Sequence, residues 1–273
     1  MLTFPTSMPP RLLRAWIVLS GCGLLALAVL LLAPRVPQPA DYHRFADERM
    51  MFGVPNAFDV LSNAGFTVVG VLALVALMRS ALNMTRDEHR AYTVLFAGVL
   101  LTSAGSAYYH LAPDNARLVW DRLPMTLGFM GLLSAVLGER VSARACRVSL
   151  VPLLCLGAAS VVYWYLTEIR GAGDLRPYLL VQFLPLVAIP VMIAVLPARY
   201  TLGSLFFAAL GLYGVAKICE LWDVAIFSAT GFVSGHTLKH LLSAAGIYVL
   251  LVMLQRRRVI REAHVAVGAA QAR

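Results

Sequence analysis

Charged residues are scarce in this sequence. Asp, Glu, Lys and Arg make up 14 % of its 273 residues, and 60 % are hydrophobic, whereas soluble domains contain about 25 % charged and about 45–50 % apolar residues. The mean hydropathy is +0.76. These values exclude a water-soluble fold, and the long apolar blocks leave no room for a separate soluble domain.

Paired cysteines are also missing. The four cysteines are Cys22, Cys146, Cys155 and Cys219, and none of them forms a CxxC pair. This spacing excludes a disulfide framework and a thiolate metal site, so we interpret the cysteines as small buried hydrophobes. The net charge of +9 does not indicate nucleic acid as a partner, because the cationic residues are spread through loops between apolar blocks.

The apolar blocks predict eight membrane-spanning helices, since one crossing needs about 20 residues. The predicted spans are residues 15–34, 57–78, 92–111, 120–138, 148–167, 178–197, 202–222 and 234–255. We therefore predict an all-α polytopic membrane helix bundle with a cytoplasmic N-terminus and anchor helix in residues 1–40, a seven-helix core in residues 41–255 and a basic cytoplasmic tail in residues 256–273. The first block also has features of a secretory signal, but we expect it to be retained because no small-residue cleavage site follows it.

The positive residues outside the spans predict the orientation, because Lys and Arg are enriched on the cytoplasmic side. One side carries fourteen, namely Arg11, Arg14, Arg79, Arg86, Arg90, Arg140, Arg144, Arg147, Arg199, Arg256, Arg257, Arg258, Arg261 and Arg273. The other side carries six, namely Arg35, Arg44, Arg49, Arg117, Arg170 and Arg176. Both termini are therefore predicted to be cytoplasmic. The Ala- and Arg-rich composition and the short loops favour a bacterial inner membrane, and the oligomeric state is not predicted.

A few polar residues lie inside the predicted spans, where they are functional candidates by default. Span three ends in Ser106-x-x-x-His110 and span eight opens with His236-x-x-x-His240, so each pair shares one helix face. Span four opens at Asp121, and the alternating direction of the spans brings all five residues to the outer side. An i, i+4 histidine pair with a third histidine is the ligand set of an open catalytic zinc site. We predict Zn²⁺ on the three histidines, Asp121 as a proton acceptor and Ser106 as a hydrogen-bond donor.

Two other interpretations of the histidines stay open. Single intramembrane histidines are often hydrogen-bonded packing residues, and histidines on facing helices can ligate a b-type haem. Haem usually takes one histidine from each of two helices, which leaves the pairing of His236 with His240 unexplained.

Other polar residues near the outer side have competing explanations. Lys217 and Glu220 at i, i+3 predict a structural ion pair, with Asp223 just beyond it. The segment from Asn56 to Asn63, which includes Asp59 and Ser62, either caps a helix or forms a polar wall beside the metal.

These motifs together resemble the alkaline ceramidase family, within the larger group of seven-span membrane hydrolases that includes the adiponectin and progestin receptors. The resemblance rests on Ser106-x-x-x-His110, Asp121 within Trp120-Asp121-Arg122-Leu123-Pro124-Met125, His236-x-x-x-His240, and the polar segment from Asn56 to Asn63. It covers residues 41–255, in the order found in that family.

The resemblance implies a seven-helix bundle that holds zinc through His110, His236 and His240, with Ser106 and Asp121 beside the metal. It also implies hydrolysis of the amide in ceramide-like N-acyl lipids to a sphingoid base or amine and a fatty acid, so the expected partners are a membrane lipid substrate and the bilayer. A non-enzymatic receptor-like protein on the same scaffold is the alternative.

The sequence departs from the family pattern at two places, which affects the expectations for calcium binding and for the substrate. Eukaryotic ceramidases carry an acidic calcium loop before the first core helix, and here Asp41-Tyr42 and Asp47-Glu48 match it only in part. Asn56 stands where the family has a glutamate. Dependence on Ca²⁺ is therefore not predicted, and the identity of the N-acyl lipid stays open.

Overall fold

The chain is a bundle of long helices, seen in a computed structural model that describes residues 10–79 and 82–260. About 77 % of the described residues are helical. The helices are α1 (Pro10–Leu32), α2 (Ala57–Leu61), α3 (Ala64–Arg79), α4 (Arg86–Leu111), α5 (Asn115–Arg140), α6 (Ala143–Glu168), α7 (Arg176–Val195), α8 (Leu205–Leu221), α9 (Asp223–Thr230) and α10 (Gly235–Arg256), with a short 3₁₀ helix at Ala40–His43. Isolated bridges are the only extended pairings within the described ranges.

The prediction of an all-α polytopic bundle is confirmed. Six helical segments are long and apolar enough to cross a membrane, and α8 with α9 adds a seventh if this pair, bent by 78°, forms one span. The predicted span 120–138 lies in α5, which is not among these segments and packs against α4, α6 and α7. The protein is therefore an integral multi-pass membrane protein. The predicted basic tail beyond residue 260 and the first nine residues lie outside the described residues.

Side chains at the beginnings of four long helices cap those helices. Thr85 and Glu88 form a capping box at the start of α4, and the side chains of Asp114, Ser142 and Ser234 cap α5, α6 and α10. Such caps bind backbone N–H groups that have no partner within the helix. These caps fix where the long helices begin, and α5 and α10 begin near the candidate site.

Helices α4 and α5 make a very close contact where α4 ends and α5 begins. A Cβ added to Gly105 of α4 would lie 2.0 Å from the carbonyl oxygen of Trp120 in α5. Only glycine permits this approach, which brings Ser106 and Asp121, the next residue along each helix, to one place.

Helix α1 packs on the outside of the bundle against α7. The guanidinium of Arg176 donates to the carbonyl of Leu30 at 3.1 Å, and the amide of Leu175 donates to the carbonyl of Val36 at 2.8 Å. Hydrogen bonds from Arg176 also hold the pKa of Asp174 below its usual range. The end of α1 is thus fastened to the beginning of α7.

A buried ionic cluster lies where α4 begins and where α5 and α10 end. Arg257, after α10, pairs with Glu139 of α5, and the hydroxyl of Tyr92 donates to the same carboxylate at 2.6 Å. The Tyr200 hydroxyl donates to Glu88 at 2.7 Å. This cluster joins the ends of α4, α5 and α10 far along the bundle from the histidines.

The cysteines agree only in part with the sequence interpretation. All four are unpaired, and Cys146 is buried, whereas Cys155 is exposed on α6. The prediction of a buried position is wrong for Cys155, because this face of α6 packs against no other part of the described chain.

Candidate metal centre and its cavity

Three buried histidines meet where α4 ends and α10 begins. His110 lies in the last turn of α4, and His236 and His240 lie in the first two turns of α10. Their ring centroids are 4.8–5.1 Å apart, and one nitrogen from each ring lies within 4.8 Å of the other two. No other group of three or more metal-ligating residues occurs in the part of the chain that the structure describes.

The spacing of the nitrogens fits a tetrahedral metal site. The Nε2 atoms of His110 and His236 are 3.2 Å apart. Two nitrogens at about 2.0–2.1 Å from a tetrahedral zinc ion would be separated by about 3.3 Å. The rings touch edge to face, so no haem plane fits between any two of them.

Ser62 fixes the orientation of the His240 ring. Its hydroxyl lies 2.7 Å from His240 Nδ1 and 3.1 Å from the carbonyl oxygen of Asp59. If the hydroxyl donates to that carbonyl, it accepts the Nδ1–H proton, and Nε2 keeps its lone pair. Metal-binding histidines are usually held by such a hydrogen bond from the second ring nitrogen.

The beginning of α10 is held against α8 and α9 by a glycine and a carboxylate. A Cβ on Gly235 would lie 2.0 Å from the carbonyl oxygen of Cys219. The Asp223 carboxylate accepts from the backbone N–H of His236 at 2.8 Å and from that of Ala46 at 2.9 Å. Asp223 therefore positions the histidine helix, a role that the sequence did not reveal.

The polar segment before α3 forms a wall beside the histidines. Asn56 precedes α2 but makes no capping hydrogen bond with its side chain, and its amide donates instead to the carbonyl of His110 at 2.8 Å. The Asp59 carboxylate accepts from Thr237 at 2.6 Å and from Ser234 at 3.2 Å. The side chains of Asn56 and Asp59 thus bond to α4 and to the beginning of α10, and Asn56 does not cap α2.

The loop before α2 covers the cluster from the outer side. The ring of Phe45 lies 4.6 Å from those of both His110 and His236. In the same loop, hydrogen bonds from Arg49 hold the pKa of Asp47 below its usual range. Asp47 is thus paired with a guanidinium, in the segment where the ceramidases have their calcium loop.

A cavity of about 420 Å³ adjoins the cluster. Ser106, Asp121 and His240 line one part of it, and apolar residues of α5, α7, α8 and α10 form most of its walls. Because Leu250 also lines the cavity, it extends along ten residues of α10 beyond His240, or about 15 Å at the helical rise. The cavity therefore joins a polar end to a long apolar channel.

The wall of the cavity also contains an ionic triad. Lys217 pairs with Glu220, as the sequence predicted, and Lys239 joins them through a 2.8 Å contact with Glu220. Lys239 Nζ also lies 3.3 Å from His236 Nε2. The sequence placed Lys239 within a span, but its spacing gave no signal that it lines the cavity.

His240, Ser106 and Asp121 thus lie around one end of this cavity, and the rings of His110 and His236 lie beside that of His240. A search of protein-family models finds no match to the sequence, and no curated protein is significantly similar to it. The resemblance to alkaline ceramidases stays a prediction, and any functional inference depends on the site itself.

Proposed function

We propose that the protein is a zinc-dependent intramembrane amide hydrolase of the alkaline ceramidase type, acting on ceramide-like N-acyl lipids. The observation that carries this proposal is the convergence of three buried histidine nitrogens beside a cavity that also exposes Ser106 and Asp121. The expected products are a fatty acid and a sphingoid base or another amine.

His110, His236 and His240 would hold the zinc ion. The donor set of three imidazoles and the 3.2 Å nitrogen separation support this assignment. When bound at such a site, zinc lowers the pKa of water to about 7 and polarises a carbonyl as a Lewis acid.

Asp121 and Ser106 would handle the proton and the oxyanion. In the overall reaction the C–N bond breaks, the acyl carbon takes the oxygen of water, and a proton reaches the departing nitrogen. We assign to Asp121 the transfer of that proton, a role typically worth about 10²–10⁴-fold in rate. The Ser106 hydroxyl would donate to the developing oxyanion, where loss of one donor costs about 10²–10³-fold.

The apolar part of the cavity fits an acyl chain. Its walls are aliphatic and aromatic, and the channel extends from His240 toward Leu250. Burial of each CH₂ group there would contribute about 0.8 kcal/mol, so a long chain binds in preference to a short one. With both termini in the cytoplasm, the site would lie near the periplasmic face of a bacterial inner membrane.

The test is to incubate the purified protein with a panel of N-acyl lipids and measure the released fatty acid, alongside elemental analysis for zinc. The His236→Ala variant is expected to lose most of the zinc and the activity together. The Asp121→Asn variant is expected to keep its zinc and lose at least about 10²-fold in turnover.

Two variants serve as controls. His89→Ala changes a histidine whose ring contacts the carbonyl of Leu77, away from the cluster. Asp114→Asn changes another carboxylate of the same region that caps α5, and asparagine is an equally good cap. Normal turnover in Asp121→Asn would refute its role, and a metal-free wild-type protein without activity would favour the receptor-like alternative.

A further inference from the structure

Several hydrogen-bond donors at one side of the cavity have no acceptor. Arg122 Nε, Arg122 Nη1, Gln38 Nε2 and Trp164 Nε1 are buried and make no hydrogen bond within the described chain. Arg122 and Gln38 also line the cavity. Buried polar groups are rarely left unpaired, and every unpaired atom here is a donor.

The environment of Arg122 leaves its charge without a counterion. The side chain is 3 % exposed, and its Nη2 donates to the Gln38 amide oxygen at 2.8 Å. Its guanidinium lies 4.2 Å from the ring of Trp164 and 4.6 Å from that of Tyr178. No described carboxylate lies within ion-pair distance of it.

Arg257 is a second buried arginine in this structure, and its surroundings can be compared with those of Arg122. It also stacks on a tyrosine ring, at 4.0 Å from Tyr200, but it is paired with Glu139 as well. Burial of an unpaired ion is costly, and aromatic stacking offsets only part of that cost. Arg122 therefore lacks the anion that Arg257 has.

The charge of the cavity wall agrees with a missing anion. Its charged side chains are Arg122, Lys217, Lys239, Asp121 and Glu220, so three cations face two carboxylates and the sum is +1. Both lysines of the triad contact Glu220, although the triad itself carries +1. Arg122 is the cation of this wall that pairs with no described carboxylate and keeps unused donors.

We propose that Arg122 and Gln38 form a subsite for an anionic group on the amine side of the substrate. This inference rests on the proposed hydrolase function and narrows its substrate class to N-acyl amphiphiles whose amine portion bears a carboxylate or a phosphate. Arg122 follows Asp121 directly and lines the same cavity, so the anion lies close to the scissile amide. The planar guanidinium fork matches either oxyanion, whereas the neutral diol of a ceramide leaves the charge unpaired.

The test compares three substrates with the same acyl chain. N-lauroylglycine offers a carboxylate, N-lauroyl-O-phosphoethanolamine offers a phosphate, and N-lauroylethanolamine is the neutral reference. For the wild-type protein we expect kcat/KM to be about 10- to 100-fold higher for at least one anionic substrate, the range of a charge-assisted hydrogen bond. Whichever anionic substrate is preferred identifies the source of the anion.

Variants assign the preference to the subsite. Arg122→Gln is expected to raise KM for the anionic substrates and to leave the neutral one unchanged, which erases the preference. Gln38→Ala is expected to reduce the preference several-fold without changing the charge. This variant tests the subsite if Arg122→Gln does not fold. Arg117→Gln, at a more exposed position of the same helix, is the matched control.

The outcomes separate this inference from the proposed function. Hydrolysis of all three substrates at equal efficiency, or an equal loss for all three in Arg122→Gln, would overturn the subsite and leave the hydrolase standing. If none is hydrolysed, calorimetric titration decides: N-lauroylglycine binding at least about tenfold tighter than N-lauroylethanolamine supports the subsite without the hydrolase. Equal binding of the two would overturn the subsite.

Discussion

The closest backbone approach at the candidate metal centre gives a sharp prediction for Gly235→Ala. The added Cβ would lie 2.0 Å from the Cys219 carbonyl oxygen, while real Cβ atoms essentially never come closer than 3.0 Å. The beginning of α10 must therefore move by at least 1.0 Å, the difference between these two distances. A metal–ligand distance tolerates only about 0.2 Å, and His236 is the next residue along the chain.

The expected result is a protein that folds but binds zinc poorly. Overpacking of this kind costs about 1–3 kcal/mol of stability, which a bundle of this size survives. We expect the zinc occupancy at limiting free zinc to fall below about a tenth of the wild-type value, since the loss of a supporting contact typically weakens metal binding by about 10- to 100-fold.

The assay measures zinc content by elemental analysis, with thermal unfolding in detergent as the check on folding. The matched control is Gly214→Ala in α8, where a Cβ meets no atom within 4 Å. That change should leave zinc binding intact and add up to about 1 kcal/mol of helix stability. Wild-type zinc affinity in Gly235→Ala would refute the idea that this contact sets the position of His236.

Two further substitutions test other contacts. Ser62→Ala removes the hydrogen bond to His240 Nδ1 and should weaken zinc binding or activity by about 10- to 100-fold, measured by competition with a zinc indicator; unchanged affinity would contradict an orienting role. Arg257→Met removes one partner of the buried ion pair with Glu139 and should lower the free energy of unfolding by about 3–5 kcal/mol, measured by denaturation. The exposed neighbour Arg258→Met should change it little, and equal stabilities of the two variants would contradict this reasoning.

The long helices could be predicted from the sequence, because hydrophobic blocks of about 20 residues bounded by charged residues, proline and glycine indicate membrane-spanning helices. The predicted span 234–255 matches α10 to one residue at each end. The predicted span 57–78 corresponds to one candidate span, Ala57–Arg79, but the local break between α2 and α3 was not predicted. Asn63 causes it in part, because its side chain donates to the carbonyls of Asp59 and Val60 and competes with the helix.

The candidate site was accessible from the sequence only where a residue was anomalous in a membrane. His110, His236, His240 and Asp121 stood out for that reason. Ser62 contacts His240, and Phe45 packs on His110, across segments that are far apart in sequence. Serine and phenylalanine are common in membrane helices and loops, so neither residue stood out in the sequence. The direction of a long side chain such as that of Arg122 also could not be predicted, because it depends on how the helices pack.

Under the proposed function, the residues assigned to the reaction and the residues that would contact the acyl chain lie on different helices. All three histidines, Ser106 and Asp121 belong to α4, α5 and α10, whereas α7 contributes a large share of the apolar wall, including Pro185 and Pro190, and touches α8 only slightly. Substitutions in α7 can thus lengthen, shorten or reshape the space for a hydrocarbon tail while the reacting groups keep their positions. Related chains with different tail preferences could diverge along this one helix.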